Sequence, residues 1–353
     1  MNHLRILTLK ESEKWHSIVR SFGQYDVCYL PDYARAFSRH GEGEPLLVYF
    51  ENGSCRAVNV VMKRDIAEAF PFAGKLPPET FYDISTPYGY GGFWIEGEYS
   101  GELDAEYRMF CGEQGFISEF VRFHLFTDAR LRFDGYTESN SRNVVRSLKG
   151  GLEELFGNFE HKVRKNIKRA VASGLEIERD PSGERIEDFL RIYYATMQRN
   201  QAGNAFFFPK DFFETLQRMK GNFQYFHVLH DGKVVSTELV LYGTENCYSF
   251  LGGTESEYYH LRPNEFLKFE IMRWALEQGL KRFVLGGGYG ADDGIFRYKK
   301  SFAPGGIVDF YIGKKILDGT RYDRLLEMRE IEGHSKISSE TCQLSGFFPR
   351  YRA

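Results

Sequence analysis

The same order of predicted elements occurs twice along the chain of 353 residues. In each half, hydrophobic periodicity and turn residues predict a strand, two helices, a run of antiparallel strands, another helix and a final strand. The antiparallel pairs are the clearest, because apolar runs flank the turns Glu51-Asn52-Gly53-Ser54 and Asp231-Gly232. This repeated order predicts an α+β fold with two domains, each containing a mixed, mostly antiparallel sheet flanked by helices.

The last helix and strand of the second half are predicted from their end signals. Asn264 is predicted to cap the N-terminus of a helix that reaches Gln278, and Gly279 is predicted to terminate it. A strand is predicted from Arg282 to Leu285, and a run of glycines begins directly after it. This glycine turn lacks the GxxxxGK[ST] pattern, so it is a weak candidate for a phosphate-binding loop.

Charge and cysteine spacing exclude several classes of function. The net charge of −3 argues against a general attraction to DNA or to an anionic membrane surface. The five cysteines form no CxxC pair, so we predict neither a metal site nor a disulfide framework. The sequence contains no apolar run of about 18 residues, and the stretch from Met1 to Lys10 lacks the apolar core of a signal peptide. These features predict a cytoplasmic protein without a membrane span.

A basic helix is predicted between the two halves, from Glu160 to Ser173. Its apolar residues have the spacing of one buried stripe, and they are Val163, Ile167, Ala170 and Val171. The cations of this helix are Lys162, Arg164, Lys165, Lys168 and Arg169. Binding of phosphates, either of a nucleotide-linked acceptor or of tRNA, would explain them. A solvated helix face, paired in part with acidic residues upstream, explains the same pattern equally well.

A second candidate site is the stretch from Phe296 to Phe302, which follows the glycine turn. A helix here would bury its two phenylalanines near the carboxyl end of the last strand. It would also hold a lysine there, either Lys299 or Lys300. When an amine attacks an ester or thioester, negative charge develops on the carbonyl oxygen, and a fixed cation stabilises that charge. The alternative is an exposed lysine pair beside an aromatic anchor.

A third candidate is the loop from Tyr82 to Gly92, in which small residues lie beside tyrosines. Such a loop can approach a ligand closely and present hydroxyl groups to it, although a packed aromatic loop is an equally good explanation. The sequence contains no HExxH or GxSxG motif, and no GxGxxG follows an early strand. For a catalytic base, Glu238 and Asp309 are weak candidates. We expect Glu119 to be a structural partner of Arg122.

Five stretches together carry a family resemblance. They are Tyr88-Gly89-Tyr90-Gly91-Gly92, Ser118-Glu119-Phe120-Val121-Arg122-Phe123-His124, Lys162 to Ala170, Pro263-Asn264, and Arg282 to Phe302. With the repeated order of elements, they resemble the Fem family of peptidoglycan-bridge aminoacyltransferases and its relatives in the GNAT superfamily. The resemblance implies tandem GNAT-like domains, of the acyl-CoA N-acyltransferase type, at residues 1–150 and 151–315. It also implies that the segment 316–353 packs back on the first domain.

The resemblance implies roles for individual residues as well. Lys299 corresponds to a family lysine near the reacting carbonyl, because Tyr298-Lys299-Lys300-Ser301-Phe302 is similar to the family's FKxxF-like motif. Arg164, Lys165 and Lys168 correspond to basic residues that bind the phosphates of the acceptor. The remaining residues that we expect to bind substrate are Tyr88, Tyr90, Arg122, Asn264 and Tyr298.

Bridge-forming members of the family use aminoacyl-tRNA as donor and a UDP-linked or lipid-linked muropeptide amine as acceptor. The resemblance implies a bacterial N-acyltransferase of cell-wall biogenesis, with no tightly bound cofactor and with aminoacyl-tRNA or acyl-CoA as co-substrate. The sequence departs from these families in two ways, because it lacks a long coiled-coil arm and the pyrophosphate-binding stretch of typical GNAT enzymes. A muropeptide and a nucleotide-linked sugar are both candidate acceptors. The alternative is a non-catalytic binder of nucleotide-linked envelope precursors on the same fold.

Overall fold

The computed structural model describes residues 3–288, 290, 292–330 and 346–353. It divides into two compact units. The first unit contains Met1–Gly23, Cys28–Asn140 and Phe310–Ala353, and the second contains Gln24–Val27 and Ser141–Asp309. The chain therefore returns to the first unit near its C-terminus.

The order of elements predicted for each half is present in the structure, which also contains elements that were not predicted. Those before residue 150 are β1 (Leu4–Thr8), α1 (Ser12–Arg20), α2 (Pro31–Phe37), β2 (Glu44–Glu51), β3 (Cys55–Asp65), β4 (Tyr82–Ser85), β5 (Trp94–Gly97), α3 (Gly101–Glu113), β6 (Phe116–Arg122) and β7 (Tyr136–Ser147). Those after it are α4 (Leu152–Gly157), α5 (His161–Ala172), β8 (Glu176–Asp180), α6 (Ile186–Arg199), α7 (Lys210–Leu216), β9 (Phe223–His230), β10 (Lys233–Tyr242), β11 (Asn246–Thr254), α8 (Pro263–Glu277), β12 (Arg282–Gly286), α9 (Gly294–Lys300), β13 (Ile307–Ile316) and α10 (Gly319–Glu330).

In the first unit, β1 to β4 form three consecutive antiparallel pairs. β4 then pairs in parallel with β6, and β6 pairs antiparallel with residues Ile312 to Ile316 of β13. The sheet packs against α3, and the core includes Val48, Phe50, Ile84, Leu103 and Phe116. Near the C-terminus, Phe348 stacks on Tyr322 of α10, and Tyr351 packs edge-on against the same ring.

The second unit repeats this arrangement with other strands. β8 to β11 form three antiparallel pairs, β11 pairs in parallel with β12, and β12 pairs antiparallel with residues Val144 to Ser147 of β7. The core includes Val144, Phe226, Ile271, Phe283 and Phe302. In each unit, therefore, the strand that completes the sheet comes from the segment at which the chain crosses between units.

Three predictions of local structure are wrong here. The stretch Tyr82–Ser85, predicted as the start of a loop, is the strand β4, because it pairs with both β3 and β6. Asn264 does not cap α8, because the helix begins at Pro263 and its N-cap is Arg262, which has a left-handed φ of 66°. The left-handed residue makes the turn into the helix, and the proline fits its first position because the ring sets φ and no amide donor is needed there. Val171 is 59% exposed and so lies outside the buried stripe of α5, whereas Asn166 is buried there.

The sequence also gave no indication of β7 and β13. Part of the segment 316–353 forms α10, and residues 331–345 of that segment lie outside the described residues. Within the described residues, no helix combines the length and the apolar character needed to cross a bilayer.

Candidate functional site

The glycine turn after β12 and the helix α9 form one local structure in the second unit. The Asp293 carboxylate caps α9 by accepting a hydrogen bond of 2.7 Å from the Phe296 amide, and Phe296 is buried. Gly286 has a φ of +82°, a value that favours glycine. A side chain at Gly286 would also start 3.3 Å from the Lys299 ammonium. This turn therefore brings Lys299 next to the end of β12.

The Lys299 ammonium is partly enclosed. Its Nζ donates a hydrogen bond of 2.6 Å to the carbonyl oxygen of Gly287. Burial, together with the charge of Lys268, lowers the pKa of Lys299 to about 8, although the charges of Glu238 and Asp293 act in the opposite direction. The side chain thus offers a positioned cation at the carboxyl end of a parallel strand, which is the geometry expected of an oxyanion-stabilising group.

Lys268 and Glu238 form a buried ion pair beside Lys299. Glu238 lies on β10 and is 5% exposed, and Lys268 lies on α8 and is 8% exposed. The Lys268 ammonium contacts Glu238 Oε2 and donates a hydrogen bond of 2.6 Å to Ser249 Oγ. β11 and β12 pair only from Asn246 to Tyr248, so Ser249 is the first residue beyond their pairing. The ion pair therefore lies where the two parallel strands separate.

Tyr298 packs against the core of the second unit. Its ring packs edge-on against Phe302 with centroids 5.3 Å apart. The hydroxyl oxygen is buried and has no hydrogen-bond partner in the described part of the chain. Burial raises the pKa of Tyr298 well above its usual value, and the charges of Glu265 and Glu238 add to the effect. The hydroxyl therefore stays protonated and can donate a hydrogen bond to a ligand.

The basic helix α5 begins beside the end of α9. The Glu160 amide donates a hydrogen bond of 2.9 Å to the Ser301 carbonyl. Lys165 and Lys168 are exposed, and neither forms an ion pair with a described residue. Arg164 differs, because its guanidinium donates to the carbonyl oxygens of Gly157 at 2.5 Å and Phe159 at 2.8 Å. The two lysines are thus available to an anion, whereas Arg164 stabilises the preceding turn.

Asn264 has a structural contact in place of the predicted cap. Its side-chain oxygen accepts a hydrogen bond of 2.6 Å from the Thr254 hydroxyl, which also contacts Ser236 at 2.6 Å. This contact connects the start of α8 to the end of β11.

The first unit holds the other predicted substrate-binding residues. Tyr88 is 45% exposed, its carbonyl oxygen accepts a hydrogen bond of 2.7 Å from Tyr33, and its amide donates to Glu42 at 3.0 Å. Burial raises the pKa of Glu42. Tyr90 packs edge-on against Phe310 with centroids 5.6 Å apart. The glycine-tyrosine loop is therefore held by its backbone, and the Tyr88 side chain faces solvent in part.

Arg122 is not the partner of Glu119. Its guanidinium donates to the Ser85 hydroxyl at 3.2 Å and to the Thr86 carbonyl at 2.9 Å. Glu119 instead accepts a hydrogen bond of 2.7 Å from the Tyr107 hydroxyl. Residues i and i+3 of a strand point to opposite faces of a sheet, which explains why this pair cannot meet.

The structure brings together Lys299, Tyr298 and Glu238 of the predicted residues, and adds Lys268 and Ser249, which sequence reasoning missed. Lys268 was detectable in part, since it follows Leu267 and precedes Ile271 on the apolar face of α8, where a lysine needs a buried partner. Asp309, the other candidate base, is exposed.

Three comparisons with known proteins bear on the fold and the kind of protein. Residues 157–300 match the model of the acetyltransferase (GNAT) domain. The UDP-N-acetylmuramoylpentapeptide-lysine N(6)-alanyltransferase of Weissella viridescens is 24% identical over 176 residues, which are 48% of this chain and 51% of that enzyme. The chain thus spans about half the length of this curated relative.

Solved structures agree with the fold. The crystal structure of FemX superposes with a TM-score of 0.67 at 13% identity, covering 89% of this chain and 98% of that one. L-PGS from Bacillus licheniformis superposes with a TM-score of 0.53 at 12% identity, covering 92% of this chain and 97% of that one.

The repeated sheet, the GNAT domain match and the superpositions define a protein with the GNAT acyltransferase fold. The predicted tandem GNAT-like α+β fold is confirmed. Over 48% of its length the chain is similar to the UDP-N-acetylmuramoylpentapeptide-lysine N(6)-alanyltransferase, and over 89% of its length it shares the fold of FemX.

Proposed function

We propose that this chain is an N-acyltransferase that moves an acyl or aminoacyl group from an activated donor to an amine of a cell-envelope precursor. The observation that carries the proposal is the Lys299 ammonium, held 2.6 Å from the Gly287 carbonyl at the end of a parallel strand in the GNAT domain. The curated relative, named for transfer of an alanyl group to a lysine amine, supports the reaction class.

The reaction follows from the charge that develops at the carbonyl. The neutral amine attacks the carbonyl carbon of the donor, a C–N bond forms, and the carbonyl electron pair moves to the oxygen. Lys299, as the protonated ammonium, stabilises that oxyanion more than it stabilises the uncharged carbonyl. Collapse of the intermediate breaks the C–O bond of an aminoacyl ester or the C–S bond of a thioester. The leaving hydroxyl or thiol takes up the proton that the amine loses.

The first substrate to identify is the acyl donor. We propose aminoacyl-tRNA, with acyl-CoA as the competing co-substrate, because the sequence lacks the pyrophosphate-binding stretch of typical GNAT enzymes. Neither molecule needs a tightly bound cofactor for the transfer.

The acceptor is proposed to be a UDP-linked or lipid-linked muropeptide or a nucleotide-linked sugar. Lys165 and Lys168 are exposed on α5, whose first turn contacts the end of α9, and two such cations suit a diphosphate. Tyr298 would donate a hydrogen bond to the substrate. Arg164 would position the turn before α5, and Asn264 would position α8. Tyr88, Tyr90 and Arg122 are the proposed substrate-binding residues of the first unit. A soluble UDP-linked acceptor would place the reaction in the cytoplasm.

The test is to identify the product. Purified protein is incubated with UDP-N-acetylmuramoyl-pentapeptide and either alanyl-tRNA or acetyl-CoA, and the acceptor is analysed by mass spectrometry. We expect a mass increase of one alanyl group, located on the lysine side chain by fragmentation. The control is an acceptor whose lysine amine is already acetylated, which should gain nothing. Tight binding of the acceptor without modification by any donor would instead identify a non-catalytic binder.

A further inference from the structure

The Glu238 carboxylate has one occupied and one unoccupied oxygen. Oε2 contacts the Lys268 ammonium. Oε1 is buried and accepts no hydrogen bond from any described residue, and the residue is 5% exposed. Buried carboxylate oxygens normally have donors, because an unsatisfied one loses its hydration without compensation. An acceptor left open beside the proposed reaction site therefore points to a ligand.

Three strands of the second unit, β10, β11 and β12, determine where Glu238 Oε1 lies. Glu238 lies on β10 next to the irregular register between Leu239 and Val240, and its Lys268 partner also bonds Ser249, where β11 separates from β12. The charge of Glu238 acts on both Lys299 and Tyr298. Glu238 Oε1 and Tyr298 Oη are thus two unpaired polar atoms of one site.

The chemistry of the site selects the ligand group. A carboxylate oxygen only accepts, so the ligand must bring an N–H or O–H donor. The neighbouring Lys268 and Lys299 ammonium groups disfavour an additional positive charge, so an amine held there is favoured in its neutral form. A neutral amine is also the form that attacks a carbonyl.

We propose that Glu238 Oε1 accepts a hydrogen bond from the attacking amine of the acceptor and holds it beside the carbonyl that Lys299 polarises. This assignment rests on the proposed function, because it names the residue that recognises the acyl acceptor. Oε1 carries essentially no accessible surface, so the amine reaches it after a neighbouring side chain changes rotamer, which the long Lys268 and Lys299 side chains permit. The α-amino group of an aminoacyl donor has the same chemistry and is the other possible source.

The test measures amine binding without turnover. The full chain is titrated with Nα-acetyllysinamide and with alaninamide by ligand-observed NMR, in the wild type and in Glu238→Gln. Glutamine keeps an oxygen for Lys268 but turns an NH2 group toward the ligand. We expect the affinity for Nα-acetyllysinamide to fall about fivefold or more in Glu238→Gln, and the affinity for alaninamide to stay within about twofold. A fall for alaninamide alone would assign the oxygen to the donor's α-amino group and overturn the acceptor assignment.

Two further variants complete the experiment. Glu270→Gln is the matched control, because Glu270 is a buried carboxylate on α8 whose partner is Arg273; it should bind both probes as the wild type does. Glu238→Asp keeps a carboxylate but shortens the side chain by one methylene group, so it should weaken the binding of Nα-acetyllysinamide as Glu238→Gln does, which tests the proposal if Glu238→Gln does not fold. Equal binding of both probes by wild type and Glu238→Gln would overturn the proposal, as would no binding by the wild type or unchanged binding in Glu238→Asp.

Acyl transfer and amine recognition can fail separately. Amine binding that depends on Glu238 in a protein that makes no product would overturn the proposed function alone. Product formation together with an amine affinity that is unchanged in Glu238→Gln would overturn this inference alone.

Discussion

The Lys299 ammonium donates a 2.6 Å hydrogen bond to the carbonyl oxygen of Gly287, the residue directly after β12. The contact fixes a cation from one helix to the turn that ends a parallel strand. It forms because Gly286 takes a left-handed φ that reverses the chain close to the lysine, and because Asp293 starts α9 at the right residue. The predictions below follow from this contact and from its neighbours.

The proposed role of Lys299 predicts the alkaline limb of the pH profile. The cation is required, and burial lowers its pKa to about 8, so kcat/KM should fall as pH rises through about 8. Lys299→Arg keeps a cation whose pKa is above about 12, so its activity, although lower, should lack this limb. Steady-state profiles of both proteins with the same donor and acceptor test the point. An identical alkaline limb in both would assign the titration to another group.

Removal of the buried lysine should stabilise the free protein at neutral pH. The lowered pKa of Lys299 means that the native state disfavours the protonated form, and this cost is fully present below pH of about 8. It disappears as pH rises toward the unfolded value of 10.5, because the native state loses the proton first. Lys299→Met should therefore raise the free energy of unfolding by about 1 to 2 kcal/mol at pH 7, and by less at pH 10. Urea unfolding at the two pH values measures this, and a pH-independent difference would contradict it.

The exposed lysines of α5 should contribute to acceptor affinity through charge. In Lys165→Met/Lys168→Met, the Kd for UDP-N-acetylmuramoyl-pentapeptide should rise about tenfold at low salt, with a smaller salt dependence than in the wild type. Lys10→Met/Lys149→Met is the control, since both of its lysines are also exposed. Calorimetric titrations at two salt concentrations distinguish the cases. Equal effects of the two double variants would mean that net charge, and not a phosphate site, is responsible.

In the first unit, the buried Asp83 carboxylate binds residues of the C-terminal segment, and the stability of the protein should depend on these contacts. Asp83 is fully buried and accepts hydrogen bonds from Arg64 Nε at 2.7 Å, Arg352 Nε at 2.6 Å and Tyr351 Oη at 2.9 Å. Asp83→Asn removes the charge that both arginines face, so it should lower the free energy of unfolding by about 3 kcal/mol. The exposed Asp128 provides the control Asp128→Asn, expected to be neutral. Chemical denaturation measures both, and a neutral Asp83→Asn would show that the ion pairs contribute little.

Removal of the unpaired Tyr298 hydroxyl distinguishes a role in substrate binding from a role in stability. Because Oη has no partner in the described residues, Tyr298→Phe should leave the free energy of unfolding unchanged or raise it by about 1 kcal/mol. The same variant should lower kcat/KM by about tenfold or more if the hydroxyl bonds the substrate. A lower free energy of unfolding together with an unchanged kcat/KM would contradict this expectation and would assign the hydroxyl a structural role.

The sequence was sufficient for elements whose pattern is local. The hairpin turns and the amphipathic helices were predicted from residues close in the chain. β7 was missed because most of its residues are polar, and Val144 and Val145 are its only aliphatic residues. β13 is largely half-exposed, so neither strand shows the alternation that identifies a strand in sequence.

The candidate site was predictable only in part, for the same reason. The residue types left Lys299 and Lys300 open and the motif resemblance selected Lys299, but the sequence could not show the turn that places Gly287 beside its ammonium. Glu238 and Lys268 are 30 residues apart, and their pairing depends on how α8 packs across the sheet. The Arg122 partner was predicted wrongly because a strand places residues i and i+3 on opposite faces.

The most direct test of the account is the single-turnover rate of acyl transfer in Lys299→Met beside that in Lys300→Met. The two lysines are neighbours in one helix, but only Lys299 has its ammonium hydrogen-bonded to the turn after β12. With bound donor and acceptor at saturation, Lys299→Met should transfer the group about 100-fold to 1,000-fold more slowly than the wild type, and Lys300→Met within about threefold of it. Transfer by Lys299→Met at a rate close to that of the wild type would contradict the account.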